Sequence, residues 1–239
     1  MPGISYQVAD RSTRGYLAIP PAGSAAGAPG PWHGVVVIHE AFGLNDDIRQ
    51  KADQFAARGY LALAPDLYDG RSWVRCVLGA VRQVRAGSGP AFDALEAARR
   101  YLAGRDDCTG RTGVIGFCLG GGFALLCAPR DGFAVASVNY GEVPEDAENA
   151  LRGACPIVGS YGARDPMGTK HPERLQRALT VLEIPHDVKV YPGVGHRFLT
   201  KSSGAGAVLA RFARMTYVEA DAADAWQRIF GFFGEHLGP

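Results

Sequence analysis

Short apolar runs without polar alternation place the strongest constraint on the fold. Residues 34–38, Gly-Val-Val-Val-Ile, are the clearest case. A strand that buries one face alternates apolar and polar residues, whereas a continuous β-branched run is typical of a strand buried on both faces of a parallel sheet. Further strands are predicted at residues 60–64, 113–116, 134–138, 157–161 and 187–191, with another strand at 16–19.

Helical segments separate nearly all of these strands. Asn45 caps a predicted helix that runs to about Arg58, and residues 90–103 repeat apolar side chains at helical spacing. Further helices are predicted at 121–127 and 221–237, and a surface turn at 20–31, which is rich in Pro, Gly and Ala. Strands that alternate with helices pair in parallel through right-handed crossovers. The sequence therefore predicts a single α/β domain over residues 1–239, with a doubly wound, mostly parallel sheet and helices on both faces.

Composition and charge exclude several classes of protein. The 239 residues are 47% apolar and 21% charged, which is typical of a folded globular protein. Because 25 basic residues nearly balance 24 acidic ones, no surface for a nucleic acid or an anionic membrane is indicated. The sequence shows no signal peptide and no apolar stretch of about 18 residues. We therefore expect a cytoplasmic protein, a monomer or small homo-oligomer, whose partner is a small molecule.

Polar residues that directly follow the predicted strands are the functional candidates. In a doubly wound sheet, ligands bind beyond the carboxyl ends of the strands. The residues selected by this rule are His39, Glu40, Asp66, Cys118, Tyr140, Asp165 and His196.

Cys118 has the sequence setting of a nucleophile elbow. The segment Gly-Phe-Cys-Leu-Gly at 116–120 follows a predicted buried strand and precedes a predicted helix. Flanking glycines permit a sharp turn, and the N-terminal dipole of the helix favours a thiolate. A cysteine outside such a setting is more often an inert apolar side chain, so the other cysteines are assigned to packing or to the surface. The cysteines so assigned are Cys76, Cys108, Cys127 and Cys155, whose spacing fits neither a disulfide framework nor a Cys-x-x-Cys site.

Asp165 and His196 complete a catalytic triad in the order nucleophile, acid, imidazole. Each directly follows a predicted strand. Taken singly, Asp165 could start a turn and His196 could lie in an exposed loop, so their joint placement carries the prediction. The remaining histidines lie before a strand, beside prolines or in the last helical turn and are poorer candidates for the base: His33, His171, His186 and His236.

Motifs for metals and nucleotides are incomplete in this sequence. His39-Glu40 lacks the second histidine of a zinc-binding helix, the segment 168–170 lacks the P-loop pattern, and the glycines at 120–122 do not continue as a dinucleotide fingerprint. We therefore expect no metal and no cofactor.

The residues resemble the dienelactone hydrolase family of α/β hydrolases. The resemblance covers nearly the whole chain, with motifs at 35–44 (VVVIHEAFGL), 64–68 (APDLY), 116–121 (GFCLGG), 162–165 (GARD) and 191–198 (YPGVGHRF). It implies an α/β-hydrolase fold and a triad of Cys118, Asp165 and His196. It also implies that the backbone amides of Ala41 and Leu119 form the oxyanion hole.

The resemblance further implies that Glu40 takes the thiol proton when substrate binds. A thiol that stays protonated until then resists oxidation, because the thiolate is the species that oxidises. The alternative is that Glu40 caps the following helix or pairs with an arginine.

Substrate binding is where the sequence departs from the family pattern. The family's type enzyme holds a substrate carboxylate with two arginines. The first corresponds to Arg71, offset by one residue, and the second to Thr200. Arg71, Arg197 and Lys201 are the nearby substitutes. We therefore expect weaker preference for acidic lactones, and activity on neutral short-chain aryl esters.

The predicted function is hydrolysis of an ester or lactone through a Cys118 acyl-enzyme, similar to that of a carboxymethylenebutenolidase. The alternatives are a general short-chain carboxylesterase, a binding protein on a hydrolase scaffold, and a thiol redox protein in which Cys127 would be the partner thiol.

Overall fold

A computed structural model describes residues 3–8, 11–21, 30–200 and 217–237. Within these residues the chain forms an eight-stranded sheet in the order β1-β2-β4-β3-β5-β6-β7-β8. Strands β1 and β2 pair antiparallel, as do β2 and β4, and all other neighbours are parallel. The strands are β1 Gly3–Val8, β2 Arg11–Ala18, β3 Trp32–Ile38, β4 Tyr60–Pro65, β5 Cys108–Phe117, β6 Phe133–Asn139, β7 Ile157–Gly162 and β8 His186–Tyr191.

Helices cover both faces of this sheet. They are α1 Asp46–Ala56, α2 Trp73–Ala86, α3 Pro90–Ala103, α4 Leu119–Cys127, α5 Ala147–Ala150, α6 His171–Val181 and α7 Glu219–Leu237. Residues of α2, α3, α4 and α6 belong to the core on one face, and residues of α1 and α7 to the core on the other. The predicted doubly wound, mostly parallel sheet is therefore confirmed.

Strand β3 shows why the apolar runs lack alternation. Val36 and Ile38 point into one core, and Val35 and Val37 into the other, and all four are fully buried. Successive side chains of a strand face opposite sides of the sheet, so every residue of a doubly covered strand is selected for burial.

Helix α1 begins as its sequence dictates. The side chain of Asn45 accepts a hydrogen bond from the backbone N–H of Ile48 at 3.1 Å, which satisfies one of the free amides of the first turn. Asp46 and Asp47 in that turn interact favourably with the helix dipole. The helix ends at Ala56, two residues before the predicted end.

Several elements differ from the sequence prediction. Strand β1 and helices α2, α5 and α6 were not predicted, β4 includes Pro65, and β2 ends at Ala18 rather than residue 19. Strand β1 alternates in burial and lies at the sheet edge, so it lacks the continuous apolar signal. Of the predicted turn at 20–31, residues 22–29 lie outside the described part of the chain.

The carboxyl ends of the parallel strands β3 to β8 meet at one edge of the sheet. The predicted functional residues follow these strands, so they converge there. In the described ranges, none of the helices combines the length and the apolar character needed to cross a membrane.

Candidate active site

Cys118 lies alone between strand β5 and helix α4, in a strained conformation. Its φ and ψ angles are 55° and −118°, in a region that residues other than glycine rarely adopt. The turn is held by hydrogen bonds from the Cys118 amide to the Asn139 carbonyl at 3.0 Å and from the Gly121 amide to the Cys118 carbonyl at 2.9 Å. The thiol is half-buried. This is the geometry of a nucleophile elbow.

Two glycines beside Cys118 permit the close approach that this turn requires. A Cβ on Gly116 would overlap the carbonyl oxygen of Gly120. A Cβ on Gly120 would lie 2.5 Å from the carbonyl oxygens of Ile38 and His39 on the neighbouring β3 segment. Glycine is therefore required at both positions for steric reasons.

His196 and Asp165 form a buried hydrogen-bonded pair at the ends of β8 and β7. The Nδ1 atom of His196 lies 2.7 Å from Oδ2 of Asp165, and both side chains are about 4% exposed. Asp165 also accepts a hydrogen bond from the amide of Met167 at 2.8 Å. Because Nδ1 donates to the carboxylate, Nε2 remains available for a proton from a nucleophile.

The Cys118 side chain is close enough to the imidazole of His196 to influence its protonation. Within the described residues, the buried Nε2 atom of His196 has no hydrogen-bond partner. Burial lowers the pKa of His196, but the hydrogen bond to Asp165 and the neighbouring Cys118 outweigh burial and raise the pKa to about 10. The imidazole is therefore well suited to hold a proton beside a sulfur anion.

Glu40 follows β3 and is paired with an arginine, one of the two alternatives left open by the sequence. Its Oε2 atom accepts hydrogen bonds from Nε and Nη2 of Arg197, both at 2.6 Å. Its Oε1 atom accepts from the hydroxyls of Thr200 at 3.1 Å and Tyr140 at 3.3 Å. The carboxylate is only about 1% exposed. A buried anion with these donors is stabilised by each of them.

A buried lysine extends this network behind Glu40, and the sequence reasoning did not find it. Lys51 of α1 is 2% exposed, forms an ion pair with Asp47 and donates to the hydroxyl of Thr200 at 3.1 Å. Burial lowers the pKa of Lys51, while Asp47 and Glu40 counteract that effect. Its position on the apolar face of α1, beside Ile48 and Ala52, was the signal that could have revealed it.

One cavity of about 430 Å³ is lined by three of the four candidate catalytic residues, whereas Glu40 is not among its described lining residues. Cys118, Asp165 and His196 line it, together with Ala41 and Leu119. Leu119 is the first residue of α4, so its amide N–H has no acceptor within the helix. The other lining residues are Val77, Val81, Val84, Arg85, Gly122, Tyr140, Glu142, Met167 and His171.

The predicted substrate-binding cations do not gather in this cavity. Arg71 lines a different cavity of about 310 Å³, beside Arg75 and Cys76, and its Nε donates to the Tyr68 carbonyl at 3.2 Å. Arg71 is thus not among the described residues that line the catalytic cavity. Arg197 is engaged by Glu40, and Lys201 lies outside the described residues. The direction of such long side chains depends on tertiary contacts that spacing does not reveal.

Two residues that the sequence analysis had set aside or overlooked do line the catalytic cavity. Arg85 belongs to α2, which was not predicted, and its Nε lies 3.4 Å from Oε1 of Glu142. His171 was considered only as a poorer catalytic base, and it begins α6.

The other cysteines and the histidines form no second reactive cluster. Cys127 is buried in the core, which raises its pKa to about 12 and makes it a poor partner thiol for Cys118. Across the described ranges, no group of three or more His, Cys, Asp or Glu side chains could hold a metal ion.

The model of the dienelactone hydrolase family matches residues 14–237. The chain belongs to the dienelactone hydrolase family. It is therefore a carboxylic ester hydrolase by class, as the sequence predicted. A "putative carboxymethylenebutenolidase" of Synechocystis sp. is 29% identical over 244 residues, which cover 93% of this chain and 92% of that relative. A relative of the same name from Escherichia coli is 28% identical and covers 96% and 89% of the two chains.

Solved structures confirm the α/β-hydrolase fold. The dienelactone hydrolase-like promiscuous phosphotriesterase P91 from metagenomic libraries is 24% identical, with a TM-score of 0.79 and coverage of 99% of this chain and 98% of that one. A dienelactone hydrolase from Anabaena variabilis is 21% identical, with a TM-score of 0.65 over 89% and 94% of the two chains.

Proposed function

We propose that the enzyme hydrolyses carboxylic esters or lactones by nucleophilic catalysis at Cys118. The observation that carries this proposal is the hydrogen-bonded His196–Asp165 pair, which lines the same cavity as a cysteine in a strained strand-to-helix turn. A nucleophile, a base and a group that orients the base are the three components that acyl transfer requires.

Acylation follows from this arrangement. The sulfur of Cys118 attacks the carbonyl carbon, and the thiol proton passes either to Nε2 of His196 or to the carboxylate of Glu40. The amides of Ala41 and Leu119 are proposed to stabilise the oxyanion that forms on the carbonyl oxygen. When the tetrahedral intermediate collapses, the C–O bond of the ester breaks and the leaving oxygen takes a proton from Nε2 of His196. The acyl group remains on Cys118 as a thioester. An ester releases its alcohol at this step, whereas an opened lactone keeps its hydroxyl on the bound chain.

Deacylation uses the same imidazole in the opposite direction. Nε2 of His196 accepts a proton from water as the water oxygen attacks the thioester carbonyl. The C–S bond then breaks, the sulfur recovers the proton, and the carboxylic acid leaves. Asp165 keeps the ring in the required tautomer through both steps.

Two roles are proposed for Glu40, one structural and one in catalysis. Its pairing with Arg197 supports a structural role. Its hydrogen bond with Tyr140, which lines the catalytic cavity and contacts the ring of His196 at 5.1 Å, supports a role next to the chemistry. If substrate binding broke the contact between Arg197 and Glu40, the Glu40 carboxylate would be free to accept the thiol proton.

The substrate is proposed to be uncharged. Val77, Val81, Val84 and Met167 give the cavity apolar walls. Among the described residues of this cavity, Arg85 is partly neutralised by Glu142, and the imidazole of His196 is paired with Asp165. A substrate carboxylate would therefore lose solvation without gaining a free partner.

Three variants test the proposal with a p-nitrophenyl butyrate assay. Cys118→Ala removes the nucleophile and should abolish the initial burst and turnover, whereas the folded state should persist because little volume is lost. Asp165→Asn and His196→Ala should each lower kcat by orders of magnitude. The double variant should be no slower than the worse single variant, since the residues act as one unit. Wild-type turnover by Cys118→Ala would refute the proposal.

A further inference from the structure

His171 is a second histidine in the catalytic cavity and has no role in the proposed chemistry. It is the first residue of α6 and lines the cavity together with Cys118 and His196. Its side chain is half-buried. Asp165, the orienting carboxylate, is already hydrogen-bonded to His196. His171 is therefore not a second member of the triad.

A backbone contact fixes which nitrogen of His171 carries the proton. The amide N–H of Val143 donates to Nδ1 of His171 at 3.4 Å. An atom that accepts this hydrogen bond is unprotonated, so the proton of the neutral ring resides on Nε2. Burial and Arg174 lower the pKa of His171, against smaller opposing effects of Glu142 and Asp165. Near neutral pH the ring is thus an uncharged Nε2–H donor.

The donor atom is unpaired, and the ring that carries it lines the catalytic cavity. In the described part of the chain, Nε2 of His171 has no hydrogen-bond partner that would occupy its proton. A Cβ on Gly168 would overlap the Cδ2 edge of the ring and lie 2.9 Å from Nε2. The Cδ2–Nε2 edge of the ring therefore packs directly over Gly168, where a larger residue would displace the ring. Donors in a largely apolar pocket are the groups that orient a ligand, because leaving one unmatched is costly.

We propose that His171 is a substrate-binding residue whose Nε2–H donates to a second oxygen of the substrate, beyond the reacting carbonyl. The proposal rests on ester hydrolysis at Cys118 and names the substrate class. That class is an uncharged ester or lactone with an additional acceptor, such as an ether or ketone oxygen. Its hydrocarbon part packs on the apolar wall formed by Val77, Val81 and Met167.

Matched p-nitrophenyl esters test this assignment. The pentanoate and the 3-methoxypropanoate differ by the exchange of one methylene for an ether oxygen, and the 4-oxopentanoate offers a ketone. For each acceptor ester, kcat/KM is divided by the kcat/KM of the pentanoate. Dividing this ratio by the corresponding ratio of alkaline hydrolysis rates removes the difference in intrinsic reactivity and leaves the effect of recognition. One neutral hydrogen bond predicts a preference of wild type for the better placed acceptor ester of about three- to tenfold.

Variants of His171 should change this preference according to whether the new side chain can donate a hydrogen bond. His171→Leu should abolish the preference, so that the acceptor esters lose more kcat/KM than the pentanoate does. His171→Gln, which can place an amide N–H near the Nε2 position, should retain most of the preference. His171→Asn, whose amide is too short to reach, replaces the leucine variant if that variant is unstable. His186→Leu removes a histidine outside the cavity and should behave as wild type.

Two results would overturn the role of His171. One is an unchanged preference in His171→Leu, and the other is an equal loss on all three esters, which would indicate a structural or chemical role. An absence of any acceptor preference in wild type overturns it as well. Failure of the underlying function is recognised separately, because Cys118→Ala would then hydrolyse all three esters at the wild-type rate.

Discussion

At the scale of single residues, Glu40 illustrates how a buried charge is accommodated. Four hydrogen bonds from Arg197, Thr200 and Tyr140 reach its two oxygens, and Lys51 adds a second cation behind Thr200. A buried ion pair is costly to desolvate, and removal of one partner leaves the other uncompensated. The groups that hold the carboxylate in place would themselves be left without a buried partner if it were removed.

Glu40→Gln should destabilise the protein because Arg197 would lose its counter-charge in a mostly buried site. We expect a decrease in the free energy of unfolding of about 3 kcal/mol, near the lower end for a broken buried pair, since the amide oxygen still accepts a hydrogen bond. Urea denaturation measures this value. Combining it with Arg197→Met should cost less than the sum of the two single changes, and strict additivity would show that the two side chains are not coupled.

At the scale of elements, the elbow and helix α2 serve different purposes. The elbow, formed by the end of β5 and the start of α4, holds Cys118 through backbone contacts with little tolerance. Helix α2 supplies side chains that line the cavity, namely Val77, Val81, Val84 and Arg85. We expect substitutions in the elbow to affect folding and those in α2 to affect substrate preference.

Gly120→Ala should disrupt the elbow, since the new Cβ would lie 2.5 Å from two backbone oxygens that have little room to move. Overpacking of this kind costs about 3 kcal/mol or more. Gly231→Ala in α7 is the matched control, because its Cβ would have nothing within 4 Å. Alanine there should raise stability by up to about 1 kcal/mol. Equal melting temperatures for the two variants would contradict this account.

Val81→Asp should reduce kcat/KM for neutral aryl esters by at least about tenfold, because it places a charge in the apolar wall of the cavity. Val74→Asp introduces the same charge on the same helix at a side chain that is 59% exposed. That control should stay within about twofold of wild type. If both variants lost activity equally, the effect would arise from the helix as a whole and not from the cavity.

At the scale of the whole molecule, the site is assembled from segments that are distant in the sequence. Glu40, Cys118, Asp165 and His196 follow β3, β5, β7 and β8. Their proximity therefore depends on the complete parallel sheet. The protonation of His196 is thereby linked to folding, since its partners are adjacent only in the folded chain.

The contribution of His196 to stability should decrease as pH rises. Its folded pKa of about 10 lies above the ordinary value of 6.5. A group with a raised pKa stabilises the fold fully below pH 6.5 and loses that contribution as pH approaches 10. We expect the difference in unfolding free energy between wild type and His196→Gln to be largest at pH 6 and smallest at pH 10, as measured by urea denaturation. A difference independent of pH would contradict the raised pKa.

Much of the sheet was predictable from sequence because strands such as β3 are buried on both faces. The convergence of Cys118, Asp165 and His196 followed from their positions after such strands. Helices α2 and α6 were missed, because β-branched valines weaken the helical signal of α2 and Lys170 before α6 supplies no side-chain cap. The direction of Arg71 and the burial of Lys51 depend on neighbours far along the chain, which spacing cannot encode.

Helix α2 lines the cavity but is not part of the sheet, and this arrangement affects how the enzyme can evolve. The helix packs against α3 and α4, and the backbone hydrogen bonds that hold the turn at Cys118 come from other segments. Mutations can therefore accumulate on this face without loss of the reaction. A lineage built on this scaffold can acquire new substrates by varying one helix, and a library restricted to Val77, Val81 and Val84 is a compact starting point for directed evolution.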